Sequence, residues 1–321
     1  MGVKLDIRDK KLLWELDRDS RQTLRELAKK LSVSKEAVYY RIKNLESRKI
    51  ITGYTAVVAL NKLGLLQAKL LIKFNNITKT KKDEMIEYFR QHKNTNWVAS
   101  CHGTYDLIAG FIVCDLYEFS GIRDEFLTGY SGYVLKADTS IMLQSEVYGK
   151  KHFLGIRQEK KQYSGKQEII KLEKIDIDIL KLISKNTRLK IVELASILKT
   201  TARIVMYRLK QLEKNGVIQK YTISINHELL GISFFKSFVY LSNTKDKKHI
   251  LSYLASNDYC YANVEVLASW NLEPEFEVYT NDDYYKVINE LEDKFGDSIK
   301  TIDTVLISKE HKFELLPSIE N

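Results

Sequence analysis

Residues 23–45, TLRELAKKLSVSKEAVYYRIKNL, decide the reading of the whole chain. Thr23 is a natural cap for a helix that carries Leu24, Leu27, Ala28 and Leu31 at helical spacing. Ser32 and Val33 make a short turn. Ser34 then caps a second helix, with Val38, Ile42 and Leu45 on one face. Two helices joined by such a turn form the helix-turn-helix pattern. Upstream, Asp9 is placed to cap a first helix bearing Leu12, Leu13 and Leu16. Downstream, residues 50–55 (IITGYT) read as a wing strand.

The same pattern returns later in the chain. Residues 172–231 align with 5–64 at a constant offset of 167 and without a gap. Identities include Asp9/Asp176, Arg21/Arg188, Glu26/Glu193, Leu31/Leu198, Tyr40/Tyr207, Arg41/Arg208, Tyr54/Tyr221 and Gly64/Gly231. Asp176 takes the capping place of Asp9. Gly216 follows the third helix of the second copy as a natural stop, where the first copy has the less suited Lys49. Chance does not give this over 60 ungapped residues, so the chain is a duplicated unit.

After each helical part, strands and helices alternate. In the first copy Ala68, Leu70, Ile72 and Phe74 alternate with polar residues as a strand, and a helix follows over 80–92. Residues 97–102 and 107–113 form a hairpin, Leu116, Phe119, Ile122 and Phe126 mark a helix, and 133–147 closes as a strand. The second copy repeats the order over 232–308. This is βαββαβ, a split βαβ unit. The fold class is therefore α+β: two tandem units, each a winged helix-turn-helix followed by a ferredoxin-like βαββαβ domain. The expected boundaries are 1–60 and 61–148 for the first unit, 149–170 for an exposed basic connector, and 171–227 and 228–321 for the second.

Composition narrows the function. The chain of 321 residues carries a net charge of +9, unevenly spread. Residues 4–54 hold +6 and 171–221 hold +7, whereas 222–321 hold −8. Positive charge concentrated in the two helix-turn-helix segments is the footprint of nucleic-acid contact. Cys101, Cys114 and Cys260 are odd in number and widely separated, which fits a reducing compartment rather than a disulfide framework. His102 follows Cys101, but no second pair stands at metal spacing. No apolar run reaches membrane length, and residues 1–10 have no signal-peptide core. A cytoplasmic protein without a metal or cofactor is expected.

Helix geometry places the reading faces. With Val38, Ile42 and Leu45 buried, the opposite face is Glu36, Tyr40, Lys43, Asn44 and Ser47. In the second copy it is Arg203, Tyr207, Lys210, Gln211 and Lys214. Arginine pairs with guanine, glutamine with adenine, and lysine and tyrosine suit phosphates. Ser34 and Thr201 cap these helices at the groove, and Lys35 reaches toward the backbone. Arg41 and Arg208, turned toward the core, are expected in structural ion pairs, with Glu26 and Glu193 as candidate partners.

These residues resemble the leucine-responsive regulatory protein/AsnC family. The resemblance runs through Leu5, Asp6, Asp9, Leu13, Ser20, Arg21, Leu27, Ala28, Leu31, Ser34, Arg41, Glu46, Tyr54 and Gly64, and through Gly103, Thr104, Tyr105 and Asp106 in the hairpin. It implies a DNA-binding regulator in a tandem form, one chain holding two protomer equivalents. It also implies an amino-acid effector near Gly103, Thr104, Tyr105 and Asp106, at a dimer interface. The second copy has Ala268, Ser269, Trp270 and Asn271 there, so that half is degenerate.

Two expectations go further. Glu36 stands where the other copy has Arg203, so the two heads should prefer different half-sites. Glu273, Glu275 and Glu277 share one face of a strand, and Lys69 and Lys73 share one face of another. Charge complementarity should pair the two α/β halves as an intrachain pseudo-dimer, a solvated glutamate stripe being the alternative. Homodimerisation of whole chains is also open. An architectural DNA-binding protein of low specificity is the second functional reading. Some decarboxylases of tetrapyrrole synthesis resemble this fold, which leaves an enzyme as the third.

Overall fold

The computed structural model describes residues 3–156 and 161–316. The first half runs α1 (Ile7–Arg18), α2 (Leu24–Leu31), α3 (Lys35–Ser47), β1 (Ile51–Val58), β2 (Leu66–Phe74), α4 (Lys79–Gln91), β3 (Thr95–Gly103), β4 (Leu107–Val113), α5 (Leu116–Tyr130) and β5 (Val134–Val147). After β6 (Lys161–Ser164) the order repeats as α6 (Lys174–Lys185), α7 (Ile191–Ile197), α8 (Ala202–Lys214), β7 (Ile218–Ile225) and β8 (Ser233–Leu241). It ends with α9 (Lys247–Ser256), β9 (Cys260–Leu267), β10 (Leu272–Val278), α10 (Asn281–Phe295) and β11 (Ile299–Phe313). The chain divides into two compact units, and each gathers the equivalent halves of both repeats.

The first unit holds both helix-turn-helix parts. Its helices begin slightly earlier than the sequence suggests. Asp6 caps α1 by accepting from the Asp9 N–H at 2.7 Å, and Glu173 occupies the cap of α6. Asp9 and Asp176 sit one turn inside, where their carboxylates are taken by arginines. The wing strands are not hairpins: β1 pairs antiparallel with β7. Each repeat supplies a single strand here, and its backbone groups find partners only on the other copy. The register is centred on Thr55 opposite Thr222, two equivalent residues.

Around that centre the contacts are reciprocal. Ser20 and Thr187, also equivalents, hydrogen-bond each other at 2.6 Å. Arg21 donates to the Thr187 carbonyl at 2.7 Å, and Arg188 donates to the Ser20 carbonyl at 3.1 Å. Arg188 covers the ring of Tyr54 and Arg21 that of Tyr221. One buried pair breaks the symmetry. Lys220 donates to Asp17 at 3.1 Å, whereas the corresponding positions are Gly53 and Ser184. Burial alone would raise the Asp17 carboxyl, but Lys220, Lys150 and Thr222 hold it below the ordinary carboxylate range.

The second unit holds both βαββαβ halves. Strand order is β5-β2-β4-β3 in one and β11-β8-β10-β9 in the other. The halves join twice, β3 to β11 and β9 to β5, all antiparallel, so eight strands close into a ring. Closure leaves no free edge within that ring. Helices α4 and α5 cover the outer face of the first half over Leu70, Ile72, Phe89, Phe111 and Phe126. The inner face is lined by Leu71, Trp97, Ile108, Phe238, Val266 and Trp270.

Charges sit among those inner residues. Glu273 is fully buried and accepts from Lys69, from Lys236 at 2.9 Å, from Ser140 at 2.7 Å and from Trp270 Nε1 at 3.0 Å. The two lysines are equivalent positions, one from each half. The glutamate stripe thus faces the interior and not solvent, and Lys69–Glu273 is the expected cross-half pair. Lys73 is not part of it and binds Asp106 instead, while Glu275 pairs with Lys236 of its own half at 2.7 Å. Stretch 149–170, expected as exposed, is packed in part. Phe153 joins the core of the first unit, Lys151 is buried, and β6 pairs with β5. Residues 157–160 of that stretch lie outside the described residues.

Candidate nucleic-acid interface

Each candidate reading helix is fixed by its own local chemistry. Thr23 and Glu26 form a reciprocal cap at the start of α2, the Thr23 N–H donating to the carboxylate at 2.7 Å and the Glu26 N–H to the hydroxyl at 3.2 Å. Ser32 turns the chain with a positive φ of 54°. Ser34 then accepts from the Ala37 N–H at 3.1 Å to start α3. Leu27, Leu31, Val38, Ile42 and Leu45 pack with Leu12, Leu13 and Leu16, which sets the angle of α3. In the other head Thr201 accepts from the Ile204 N–H at 3.3 Å, and Val205, Leu209 and Leu212 are the buried face of α8.

Arg41 and Arg208 are structural, as expected, but their partners differ from the sequence reading. Arg41 reaches Asp6 at 2.8 Å and Asp9 at 2.5 Å. Arg208 reaches Glu173 at 2.5 Å and Asp176 at 3.4 Å. Both therefore tie the reading helix to the start of the first helix of its repeat. Glu26 is already occupied by Thr23, and Glu193 by the Lys190 N–H at 2.8 Å. Glu46 and Glu213 accept from Tyr54 and Tyr221 at 2.8 Å and 2.6 Å, fixing the exit from each helix.

With these anchors the opposite faces point outward. Ser34, Lys35, Glu36, Tyr40 and Lys43 are exposed on or before α3, and Asn44 is partly so. Thr201, Arg203, Tyr207, Lys210 and Lys214 are exposed in the other head, with Gln211 partly covered. Tyr39, Ile204 and Met206 are also exposed, beyond the faces that the sequence indicates. Their signal was present, since Tyr39 stands three residues from Glu36 and four from Lys43, but apolar bulk reads as core. The Glu36 carboxyl is held below the usual range by its own backbone N–H and the Ser34 hydroxyl.

The turn expected to hold an effector is built as a joint. Gly103 has a φ of +129°, and a Cβ there would stand 2.3 Å from the Thr304 carbonyl oxygen. Asp106 accepts from the Phe74 N–H at 2.9 Å and from Lys73 at 3.0 Å. Asn271 does the first of these tasks in the other half, accepting from the Leu241 N–H at 2.8 Å. Tyr105 is fully buried, bonded to Asp138 and packed on Phe238 with ring centroids 5.3 Å apart. Thr104 donates its N–H to the Thr304 carbonyl at 3.2 Å. Burial pushes the Cys101 thiol up to about 12, and it donates to the Tyr105 carbonyl. No group of three metal-ligating side chains occurs among the described residues.

Comparison with known proteins agrees with this geometry. A family model described as winged helix-turn-helix DNA-binding matches residues 5–52 and again 172–219. The chain is 38% identical over 107 residues to an uncharacterized HTH-type transcriptional regulator of Pyrococcus furiosus, spanning 33% of this chain and 70% of that protein. It is 47% identical over 60 residues to the HTH-type transcriptional regulator LrpA of Pyrococcus horikoshii, covering 19% of this chain and 43% of LrpA. Among solved structures it is similar in fold to the siroheme decarboxylase NirDL. That likeness has a TM-score of 0.65 and 12% identity, and it covers 96% of this chain and 93% of the other. No helix among the described residues is long and apolar enough to cross a membrane.

Proposed function

We propose a function from the premise that this chain belongs to the leucine-responsive regulatory protein/AsnC family of DNA-binding transcription regulators, with two protomer equivalents in one polypeptide. It is a cytoplasmic, sequence-specific regulator whose helices α3 and α8 enter major grooves of one operator. One observation carries this reading. Arg203, Tyr207, Lys210 and Lys214 stand exposed on a helix whose other face is buried and whose Arg208 is locked to the first helix of its repeat. Such a helix presents base-reading and phosphate-neutralising groups at fixed angles. The β1–β7 ribbon joins the two heads, so the operator is met by both together.

A small-molecule effector, such as an amino acid, belongs to this reading at Gly103, Thr104, Tyr105 and Asp106. Its support is the family resemblance. Asp106 and Lys73 already bind each other there, so a zwitterion competes with that pair. The fold likeness to a siroheme decarboxylase favours a second reading, catalysis on a tetrapyrrole.

The test is selection of bound duplexes from a random DNA pool at physiological salt, which suppresses non-specific phosphate binding. Enrichment of a motif is expected. Retention without enrichment turns the reading to an architectural protein. Failure to retain DNA, with visible absorbance from a bound tetrapyrrole, turns it to the enzyme.

A further inference from the structure

We propose that the two heads divide the work: the head carrying α8 anchors the protein on DNA, and the head carrying α3 discriminates, with Glu36 as the selecting residue. This rests on the DNA-binding reading above. It goes beyond unlike half-sites, because it assigns affinity and selectivity to different ends of one operator.

The scaffolds of the heads are the same. Both have the arginine tie to the first helix, the glutamate–tyrosine bond at the helix exit and an exposed tyrosine, Tyr40 or Tyr207, at the same position. The difference lies in what the exposed face has left to offer. On α8, Arg203, Lys210 and Lys214 are exposed, and none is held in an ion pair among the described residues. On α3, Lys35 is the one exposed cation in no ion pair among the described residues of that face, and Lys43 is already bound to Glu46 at 2.7 Å. The Asn44 side-chain oxygen accepts from Arg48 at 3.1 Å. Where the other head has Arg203, this one has the exposed Glu36 carboxylate beside the Ser34 hydroxyl.

A duplex treats these faces differently. Each lysine or arginine that neutralises a phosphate releases a counterion and adds binding free energy at any sequence. The α8 face can do this three times. A carboxylate on the α3 face is repelled by the backbone and gains only where a base edge offers an amino group, as cytosine N4 does in the major groove. Opposite the carbonyl oxygens of guanine or thymine it meets an acceptor and is left without a partner. Glu36 therefore selects mainly by refusing wrong bases, and it does so because α8 has already secured the complex.

The experiment uses the full chain and the duplex recovered by selection, with binding measured against salt. The triple variant Arg203→Ala/Lys210→Ala/Lys214→Ala should lower the salt slope by about 2–3 and weaken binding about 100-fold or more. Lys43→Ala/Asn44→Ala should weaken it about fivefold or less, with a slope change under about 1. Glu36→Gln should tighten binding a few-fold and reduce the base preference at its own half-site about tenfold, leaving the other half-site's preference in place. All these residues lie at the surface, and unchanged melting confirms folding of each variant. Equal losses from the two heads, or an unchanged preference in Glu36→Gln, overturn the proposal. If the wild-type chain selects a motif with two identical halves, the DNA-binding reading stands and this inference falls. If it selects no duplex at all, the DNA-binding reading itself has failed.

Discussion

Ser20 and Thr187 meet as equivalents in the first unit, while Asp17 and Ser184, three residues before each, do unlike things. Ser184 offers its carbonyl oxygen to Thr55 at 2.8 Å. Asp17 accepts from Thr222 at 3.0 Å and also holds buried Lys220. The second unit repeats the lesson. Lys69 and Lys236 are equivalents, but the carboxylate they share comes from one half only, since Ile108 stands opposite Glu273 in the repeat. Like pairs at the centre set the geometry, and unlike pairs beside it state which half goes where. A partner made of two first halves would bury two Lys69 ammonium groups with no Glu273 between them, which is strongly unfavourable.

The largest expected effect comes from breaking the shared carboxylate. Glu273→Leu leaves two buried cations without it and should cost about 3–5 kcal/mol, seen as loss of most folded protein in a thermal melt. Adding Lys69→Met, Lys236→Met and Glu275→Gln should return most of the stability, because well-packed apolar groups replace buried ion pairs at little cost. Failure of the combined variant to recover would show that the cluster's shape, and not its charge balance, matters.

Asp17→Ser copies the other repeat into the first unit and strands Lys220, at about 3 kcal/mol. Asp17→Ser/Lys220→Gly copies the full pair and should be the more stable of the two. The pH dependence follows from the same carboxylates. Asp17 and Glu273 are both depressed in the folded state, after their ion partners outweigh the burial that would raise them. Their contribution is present above the unfolded pKa near 4 and is lost as pH falls through the lower folded values. Melting temperature should therefore drop on acidification below about pH 4, and less steeply in the double variant.

Gly103→Ala tests a smaller contrast. The equivalent Ala268 is not among the residues with positive φ, whereas Gly103 has both a positive φ and the Thr304 carbonyl against its α-carbon. The substitution should cost about 1–3 kcal/mol, read in a denaturant titration. Smallest is Lys49→Gly, which gives the first head the residue its twin has. Lys49 and Gly216 share the left-handed conformation, at φ 58° and 65°. A gain of about 0.5–1 kcal/mol in a melt is expected.

Much of this was legible in the chain. The repeat exposed every helix and strand of both copies, because apolar spacing of 3.6 or 2 survives in each. The reading faces were legible for the same reason, and exposure of Tyr40, Tyr207 and Arg203 follows from burial of Val38 and Val205. The partners of Arg41 were not, because Glu26 lies on a neighbouring helix and looks equally suited until Thr23 claims it. The wing pairing was hidden too, since a lone strand does not announce which copy completes it. Alternation puts the three glutamates on one face, but only closure of the ring turns that face inward. The exposure of Tyr39 and Met206 is not legible in the sequence, because it depends on neighbours that are distant in the chain.

The β1–β7 ribbon has one more consequence. In a regulator made of separate protomers, the pairing of heads follows mass action and falls off with the square of a low concentration. Here both strands belong to one molecule, so one chain already carries two paired heads. The pairing of these two heads therefore does not depend on protein concentration. Because each position at the seam is encoded separately, a substitution such as the one that placed Glu273 opposite Ile108 alters one side alone. Fusion thus removes the rule that every interface mutation is made twice, and the two heads are free to drift toward different words.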